Sequence, residues 1–193
     1  MEQIIFSDRD KDFLQIEYPS LVYDDNLKTI KGIFIVNSIY KEIPIKEKYC
    51  IEISLITKGE SILPVVRETK GKIHRIAKRK MMKLEEIHLN NLEGEICLII
   101  PPKEKKRYPN GFDLKEFLSH IEEHLYWISY YDRYERSPWK EQAHKIDGYI
   151  QLYNEDHSYR PEVKKVLEQI AKRPLSRNEI RNIIKQETKR KKL

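Results

Sequence analysis

The sequence is short of cysteine, of glycine and of long apolar runs, and each shortage argues against a class of protein. Its 193 residues include two cysteines, Cys50 and Cys97, and six glycines. Two cysteines are too few for a disulfide framework in a chain of this length, which favours a reducing compartment. The sequence has no glycine-rich phosphate-binding loop, and no apolar run approaches the roughly 20 residues of a membrane-spanning helix.

The composition is otherwise that of a folded protein. Hydrophobic residues make up 39% of the chain and charged residues 35%, which leaves enough apolar surface for a core. The first ten residues lack the charged-then-apolar pattern of a signal peptide. We therefore expect a soluble, cytoplasmic protein with no membrane partner.

The first half of the chain predicts a helix followed by strands. Residues 7–18 suit a short helix, because Ser7 provides an N-cap. Residues 30–36, 49–56 and 63–66 are strand-like, and the second of these alternates apolar and polar positions. Short connections between consecutive strands predict an antiparallel meander.

The second half predicts helices after an irregular middle. Residues 71–91 have no clear period, so we expect a loop with a short helix over 80–87. Residues 95–100 read as an extended segment that Pro101 and Pro102 end. Helices are predicted after Asp113, from Pro161 and after Ser176, on capping and first-turn signals. Helix, strands, loop and helices together indicate an α+β fold.

Cys97 is the residue best suited to covalent chemistry. A thiolate is the strongest side-chain nucleophile near neutral pH and readily forms thioesters. Gly94, three residues earlier, permits a tight approach of the backbone. The preceding loop carries His88, Asn90 and Asn91, which offer hydrogen-bond donors to a developing oxyanion. A cysteine between Ile and Leu is also a common buried core residue, and Cys50 is interpreted in that way.

These residues occur in an order that resembles the ubiquitin-conjugating enzymes. In that family a His-Pro-Asn stretch precedes Gly-x-Ile-Cys-Leu, and the sequence here has matching segments at residues 88–90 and 94–98. The resemblance is closer to bacterial members of the family, which occur in cyclic-oligonucleotide anti-phage defence operons. Their Pro-x-Val-x-Glu segment corresponds to residues 64–68, and their later Trp, His, Gly and Tyr positions correspond to Trp139, His144, Gly148 and Tyr153.

The resemblance implies a fold and a function. The fold would be UBC-like, with an N-terminal helix, an antiparallel meander sheet, an active-site loop and C-terminal helices, over residues 1–155. Residues 156–193 would form a basic helical extension. The chain would be a cysteine-dependent transferase that takes a protein C-terminus as a thioester and passes it to an amine. The implied partner is a cGAS-like nucleotidyltransferase or a ubiquitin-like modifier.

The resemblance also implies roles for the site residues. Cys97 would carry the acyl group, and Asn90, or alternatively Asn91, would stabilise the oxyanion. His88 would fix the loop through backbone hydrogen bonds, and His144 would be a base or a supporting residue. Leu89 replaces the family proline, and the cysteine-rich metal-binding tail of many relatives is missing. We therefore expect no cofactor and no metal.

Other interpretations of the sequence stay open. The domain could be a UBC-like scaffold without chemistry, because the motif departs from the family pattern. The net charge of +6 and the basic run at residues 75–80 suggest a nucleic-acid-binding module, although the run lacks aromatic residues for base stacking. Residues 120–124 spell His-x-x-Glu-His, the inverted zinc-peptidase motif, in which two His side chains lie one helical turn apart.

Overall fold

The computed structural model describes residues 3–140, 142–143 and 145–190. The chain divides into two compact units, residues 1–140 and 141–193. The first unit holds α1 to α4 and one β-sheet, and the second holds α5 to α7. The expected division after residue 155 would instead fall at the end of α5, which packs against α6 and α7 within the second unit.

The first helix begins where the sequence places its cap. Helix α1 spans Asp8–Glu17, and the Ser7 side chain accepts a hydrogen bond from the Asp10 backbone amide. The Asp10 carboxylate accepts the Ser7 backbone amide in return, at 2.9 Å, so the two residues form a capping box.

The described strands form an antiparallel meander. Its order is β1-β2-β3-β4, with each strand bonded to the next along the chain. Strand β1 spans Leu21–Asp24, β2 Thr29–Tyr40, β3 Ile43–Thr57 and β4 Pro64–Glu68. The α+β class and the meander are therefore confirmed.

One face of the sheet is covered and the other is partly exposed. In β3 the alternation is as predicted, because Ile51, Ile53 and Leu55 are buried and the residues between them are half-buried. The covered face packs on α4, which spans Leu114–Tyr134. Apolar residues at helical spacing form a fully buried stripe on α4, which consists of Leu114, Phe117, Leu118, Ile121, Leu125 and Ile128.

Three elements of the first unit differ from the prediction. The short edge strand β1 was not predicted. Residues 72–79, expected in a loop, form α2 (Lys72–Arg79), and the predicted helix over 80–87 is reduced to a 3₁₀ turn at Glu85–Ile87. The two prolines end the extended segment as predicted, but they also occupy the first turn of a helix that was not predicted, α3 (Pro101–Arg107).

The second unit consists of three helices and a 3₁₀ turn among the described residues. Helix α5 spans Lys145–Glu155, α6 Arg160–Ala171 and α7 Arg177–Arg190, with the turn at His157–Tyr159. Ser176 and Glu179 form the predicted capping box of α7, with backbone-to-side-chain bonds in both directions. Val163 and Leu167 of α6 are buried, whereas Ile170 is exposed near the C-terminal end of that helix.

Among the described residues, no helix combines the length and the apolar character that crossing a lipid bilayer requires.

Candidate functional site

Cys97 lies on a short hairpin that is fixed to the edge of the sheet. The Cys97 amide donates to the carbonyl of His88 at 2.8 Å, and the Asn90 amide donates to the carbonyl of Glu95 at 2.8 Å. The Ile96 amide donates to the carbonyl of Val66 in β4 at 2.8 Å. The hairpin, residues 88–97, therefore continues the sheet beyond β4 and gives the Cys97 backbone a rigid support.

Gly94 is required for this attachment. It has a φ of +81°, and a Cβ at this position would lie 2.3 Å from the carbonyl oxygen of Glu68. In the same place the Glu68 amide donates to the Gly94 carbonyl at 2.9 Å. A side chain would therefore separate the hairpin from β4, which is the tight approach that the sequence predicts for this glycine.

A carboxylate that the sequence interpretation missed organises the hairpin. The Glu95 side chain is 8% exposed. Its oxygens accept the side-chain amides of Asn90 and Asn91, each at 3.2 Å, and the Lys58 ammonium, also at 3.2 Å. Burial acts to raise the pKa of Glu95, but the bonds from Lys58 and the two amides outweigh burial and hold the pKa below its usual value.

Both candidate oxyanion donors are thus engaged with the same group. The Asn91 side-chain oxygen also accepts the Glu95 backbone amide at 3.1 Å. Asn90 is exposed and Asn91 is half-buried, so both lie at the surface of the hairpin. An acyl group on Cys97 would have to draw an amide away from Glu95 before that amide stabilised an oxyanion.

The Cys97 thiol is partly covered and not activated. The residue is intermediate in burial, as is Cys50. Burial raises the pKa of the Cys97 thiol, and the negative charge of Glu95 raises it further. At neutral pH the group is therefore overwhelmingly a thiol, in contrast to a cysteine activated by a neighbouring cation.

His88 serves the hairpin through its backbone and packs its ring against α4. Its carbonyl accepts the Cys97 amide, and its own amide donates to the Glu85 carbonyl at 3.1 Å. The backbone is left-handed, with a φ of +60°. Its ring contacts the edges of His124 and Trp127, with centroids 4.8 Å and 4.6 Å away. These contacts fit the loop-fixing role that the resemblance implies.

Two residues of the zinc-peptidase motif, His120 and Glu123, are bound to other residues of the fold. His120 Nδ1 is 2.8 Å from the Tyr108 hydroxyl, and the ring also bonds the backbone of Leu98. Burial lowers the pKa of His120 to about 4. Glu123 of the motif pairs with Arg107 at 2.9 Å. Within the described ranges no cluster of three or more metal-ligating side chains occurs, and these contacts give the motif structural uses.

His120 connects α4 to the segment that follows the thiol. Leu98 is the next residue after Cys97, so the buried ring of His120 holds this segment to α4. A second buried carboxylate, Glu104 of α3, accepts the Ser61 hydroxyl at 3.0 Å and the Ile62 amide at 3.1 Å. The β3–β4 connection is therefore bound to Glu104 through Ser61 and Ile62, and to Glu95 through Lys58.

Two of the four basic residues of the run at 75–80, together with Lys72 before it, form ion pairs within the fold. Lys72 pairs with Glu47, which also pairs with Arg133 at 3.2 Å. Arg79 pairs with Asp132, and Lys80 pairs with Glu135 at 2.7 Å. These ion pairs attach α2 to β3 and to the end of α4, which leaves a smaller basic surface than the sequence suggests.

His144 lies outside the described residues. Its neighbour in the resemblance, Trp139, packs against Tyr40 and Tyr126, with ring centroids 5.1 Å and 6.0 Å away. Gly148 and Tyr153 both belong to α5 in the second unit.

In comparisons with protein-family models, curated proteins and solved structures, no match to this chain was found.

Proposed function

We propose that the chain carries a UBC-like conjugating domain in which Cys97 forms a thioester with a protein C-terminus. The observation that carries the proposal is the position of Cys97, at the end of a rigid hairpin with two side-chain amides on the same hairpin. The resemblance of residues 88–98 to the ubiquitin-conjugating motif gives the reaction class. The expected donor is a cGAS-like nucleotidyltransferase or a ubiquitin-like modifier, and the expected setting is bacterial anti-phage defence.

The raised pKa of Cys97 fits an acyl carrier better than a hydrolase. A thiol of higher pKa forms a more nucleophilic thiolate and is a poorer leaving group. A thioester on such a sulfur loses its acyl group to water slowly, so that the acyl group survives until an amine arrives. The low thiolate fraction would limit the rate of loading, which suits a partner that delivers an already activated carboxyl.

The loading and transfer steps follow from this chemistry. The Cys97 thiol loses its proton, its sulfur attacks the activated carbonyl, and the original leaving group departs with its electron pair. An amine then attacks the thioester carbonyl, and the Cys97 sulfur leaves as a thiolate. The negative oxygen formed in each attack would take the amide of Asn90 or Asn91 from Glu95. Loss of one such donor costs about 3 kcal/mol in other acyl-transfer enzymes.

The test is loading of the full chain with an activated C-terminus. A protein or peptide that ends in a thioester of a small thiol is incubated with the wild type and with Cys97→Ala and Cys50→Ala variants. We expect an adduct that reducing thiol removes, on the wild type and on Cys50→Ala. The Cys97→Ser variant is expected to give an adduct that reducing thiol does not remove. An adduct of equal yield on Cys97→Ala would exclude Cys97 as the carrier.

A scaffold without chemistry is the second candidate. It is favoured by one observation, that Glu95 already holds both amides while burial keeps Cys97 protonated. The rate of alkylation of each cysteine separates the candidates, because a scaffold requires no access to the sulfur. If Cys97 reacts with iodoacetamide only when the protein is unfolded, the scaffold is the correct interpretation.

A further inference from the structure

The Cys97 hairpin already holds a primary amine through Glu95. The Lys58 ammonium lies 3.2 Å from both carboxylate oxygens of Glu95, and its side chain is 68% exposed while that of Glu95 is 8% exposed. A flexible and largely solvated lysine is thus held by a buried, fixed partner. The four-carbon side chain of a lysine bound in this way is flexible, so rotation about its bonds can carry the amine to a neighbouring group on the hairpin.

Glu95 and Cys97 direct their side chains to the same side of the hairpin. Glu95 pairs with Arg67 and Ile96 pairs with Leu89 in antiparallel bridges, so this segment is extended. Alternate residues of an extended segment share a face, with Cα atoms about 6.6 Å apart. The effect of the Glu95 charge on the Cys97 thiol is consistent with that separation. The Lys58 amine therefore lies within the length of a lysine side chain of an acyl group on Cys97.

We propose that Lys58 is a self-acceptor, the residue to which an acyl group on Cys97 is transferred when no other amine is bound. This inference rests on the proposed thioester function and assigns the modification site that the function implies. Glu95 is the positioning residue for the amine. It binds the ammonium before transfer and accepts the proton that Lys58 must lose to become a nucleophile.

The transfer step balances without any further reactant. The Lys58 lone pair attacks the thioester carbonyl, a C–N bond forms, and the C–S bond breaks with its electron pair on Cys97. Of the two protons that the ammonium loses, one passes through Glu95 to solvent and one returns to the sulfur. The products are an amide on Lys58 and a free thiol on Cys97.

The alternative is that Lys58 has only a structural role as the counter-ion of Glu95. A surface ion pair with a lysine as exposed as Lys58 contributes about 1 kcal/mol or less to stability. Lys31 provides a matched control, because it also pairs with a glutamate, Glu52 at 3.0 Å, and its side chain is 46% exposed. Lys31 lies on β2, which is separated from the hairpin by β3 and β4.

The experiment uses the full chain and a short glycine-terminated peptide thioester of 2-mercaptoethanesulfonate as the acyl donor. After reducing thiol removes the thioesters, the acylated lysines are quantified by mass spectrometry of the digested protein. We expect acylation of Lys58 to exceed that of Lys31 by at least about tenfold, because the amine is held near the carbonyl. Cys97→Ala should reduce acylation of Lys58 to the level of Lys31, and Glu95→Gln should lower it several-fold.

The Lys58→Arg variant keeps the charge and removes the nucleophile. We expect the Cys97 thioester of this variant to persist longer than that of the wild type. If the thioester forms on Cys97 but Lys58 is acylated no faster than Lys31, the self-acceptor is excluded and the carrier function stands. Equal acylation of Lys58 in Cys97→Ala also excludes it. If no thioester forms on Cys97, the carrier function itself is excluded, and the self-acceptor with it.

Discussion

Cys97 and His88 are backbone partners, since the amide of Cys97 donates to the carbonyl of His88 at 2.8 Å. The first residue of the motif and its cysteine are therefore directly opposed on the hairpin. The ring of His88 packs on Trp127 of α4, so the same residue connects the thiol-bearing strand to the core helix. The geometry of the sulfur depends on this connection and on the attachment of the hairpin to β4.

Replacement of Gly94 by alanine should detach the hairpin from β4. The new Cβ would lie 2.3 Å from the Glu68 carbonyl oxygen, so either the hairpin or the strand must move. We expect Gly94→Ala to lower the free energy of unfolding by about 2 kcal/mol or more, as overpacked sites do. Gly111→Ala is the control, because Gly111 has a similar φ of +85° and no atom near the position of a Cβ. Denaturant unfolding of both variants should give a larger loss for Gly94→Ala; equal losses would show that the close approach is not important.

Glu95 should make the protein sensitive to acid. Its pKa is lower in the folded protein than in the unfolded chain, so its contribution to stability is complete above the unfolded value of about 4.3. That contribution is lost as the pH falls through the lower, folded pKa. We expect Glu95→Gln to be less stable than the wild type at pH 7, with the difference disappearing in stronger acid. Glu93→Gln, an exposed neighbour on the same hairpin, should match the wild type at both pH values.

Protonation of His120 should cause a second loss of stability as the pH falls, in a pH range above that of Glu95. Its folded pKa of about 4 lies below the unfolded value, so the unfolded chain binds the proton first and stability falls as the pH decreases. The loss should begin near pH 6.5 and be complete below about 4, with a total of roughly 3 kcal/mol. The dependence of the unfolding free energy on pH measures it. His120→Gln should remove the slope between these two values, and a slope that persists would assign it to another group.

The ion pairs of α2 should contribute to stability more than the exposed charges of the same helix do. Arg79 pairs with Asp132 of α4, whereas Lys78 is exposed and no contact of its side chain is found among the described residues. We expect Arg79→Ala to lower the unfolding free energy by about 0.5–1 kcal/mol, with a smaller effect at high salt, and Lys78→Ala to change it little. A double-mutant cycle of Arg79 with Asp132 checks the coupling. A coupling energy of zero would show that this ion pair does not stabilise the fold.

The elements that the sequence predicts are those whose signals lie within a few residues. Ser7 and Asp10 form a cap three residues apart, and the apolar stripe of α4 repeats at helical spacing. Helix α2 could not be predicted in this way, because Gly71 at its N-cap has no side chain. The first amides of this region are instead bonded by Glu68, whose carboxylate accepts from Lys70 and Ile73. These bonds span two and five residues, so they lack the three-residue spacing by which a capping box is recognised in a sequence.

In the candidate site, too, local features could be predicted and contacts between distant segments could not. The motif around Cys97 locates the hairpin, because glycine and amide residues cluster within ten positions. The role of Glu95 was missed, since one of its three partners, Lys58, lies 37 residues earlier. For His120 the sequence shows only an open metal motif, because its partner Tyr108 and its contact with Leu98 depend on how α3 and α4 meet. Hydrogen bonds between distant segments decide these roles, and a single sequence does not reveal them.

The two buried carboxylates on either side of Cys97 have a mechanical consequence. Lys58 binds Glu95, and Ser61 and Ile62 bind Glu104. The β3–β4 connection is therefore held by one carboxylate that precedes Cys97 in the sequence and by one that follows it. An incoming peptide tail that displaces only Lys58 leaves Ser61 and Ile62 bound to Glu104. The connection would then move only at its Lys58 end.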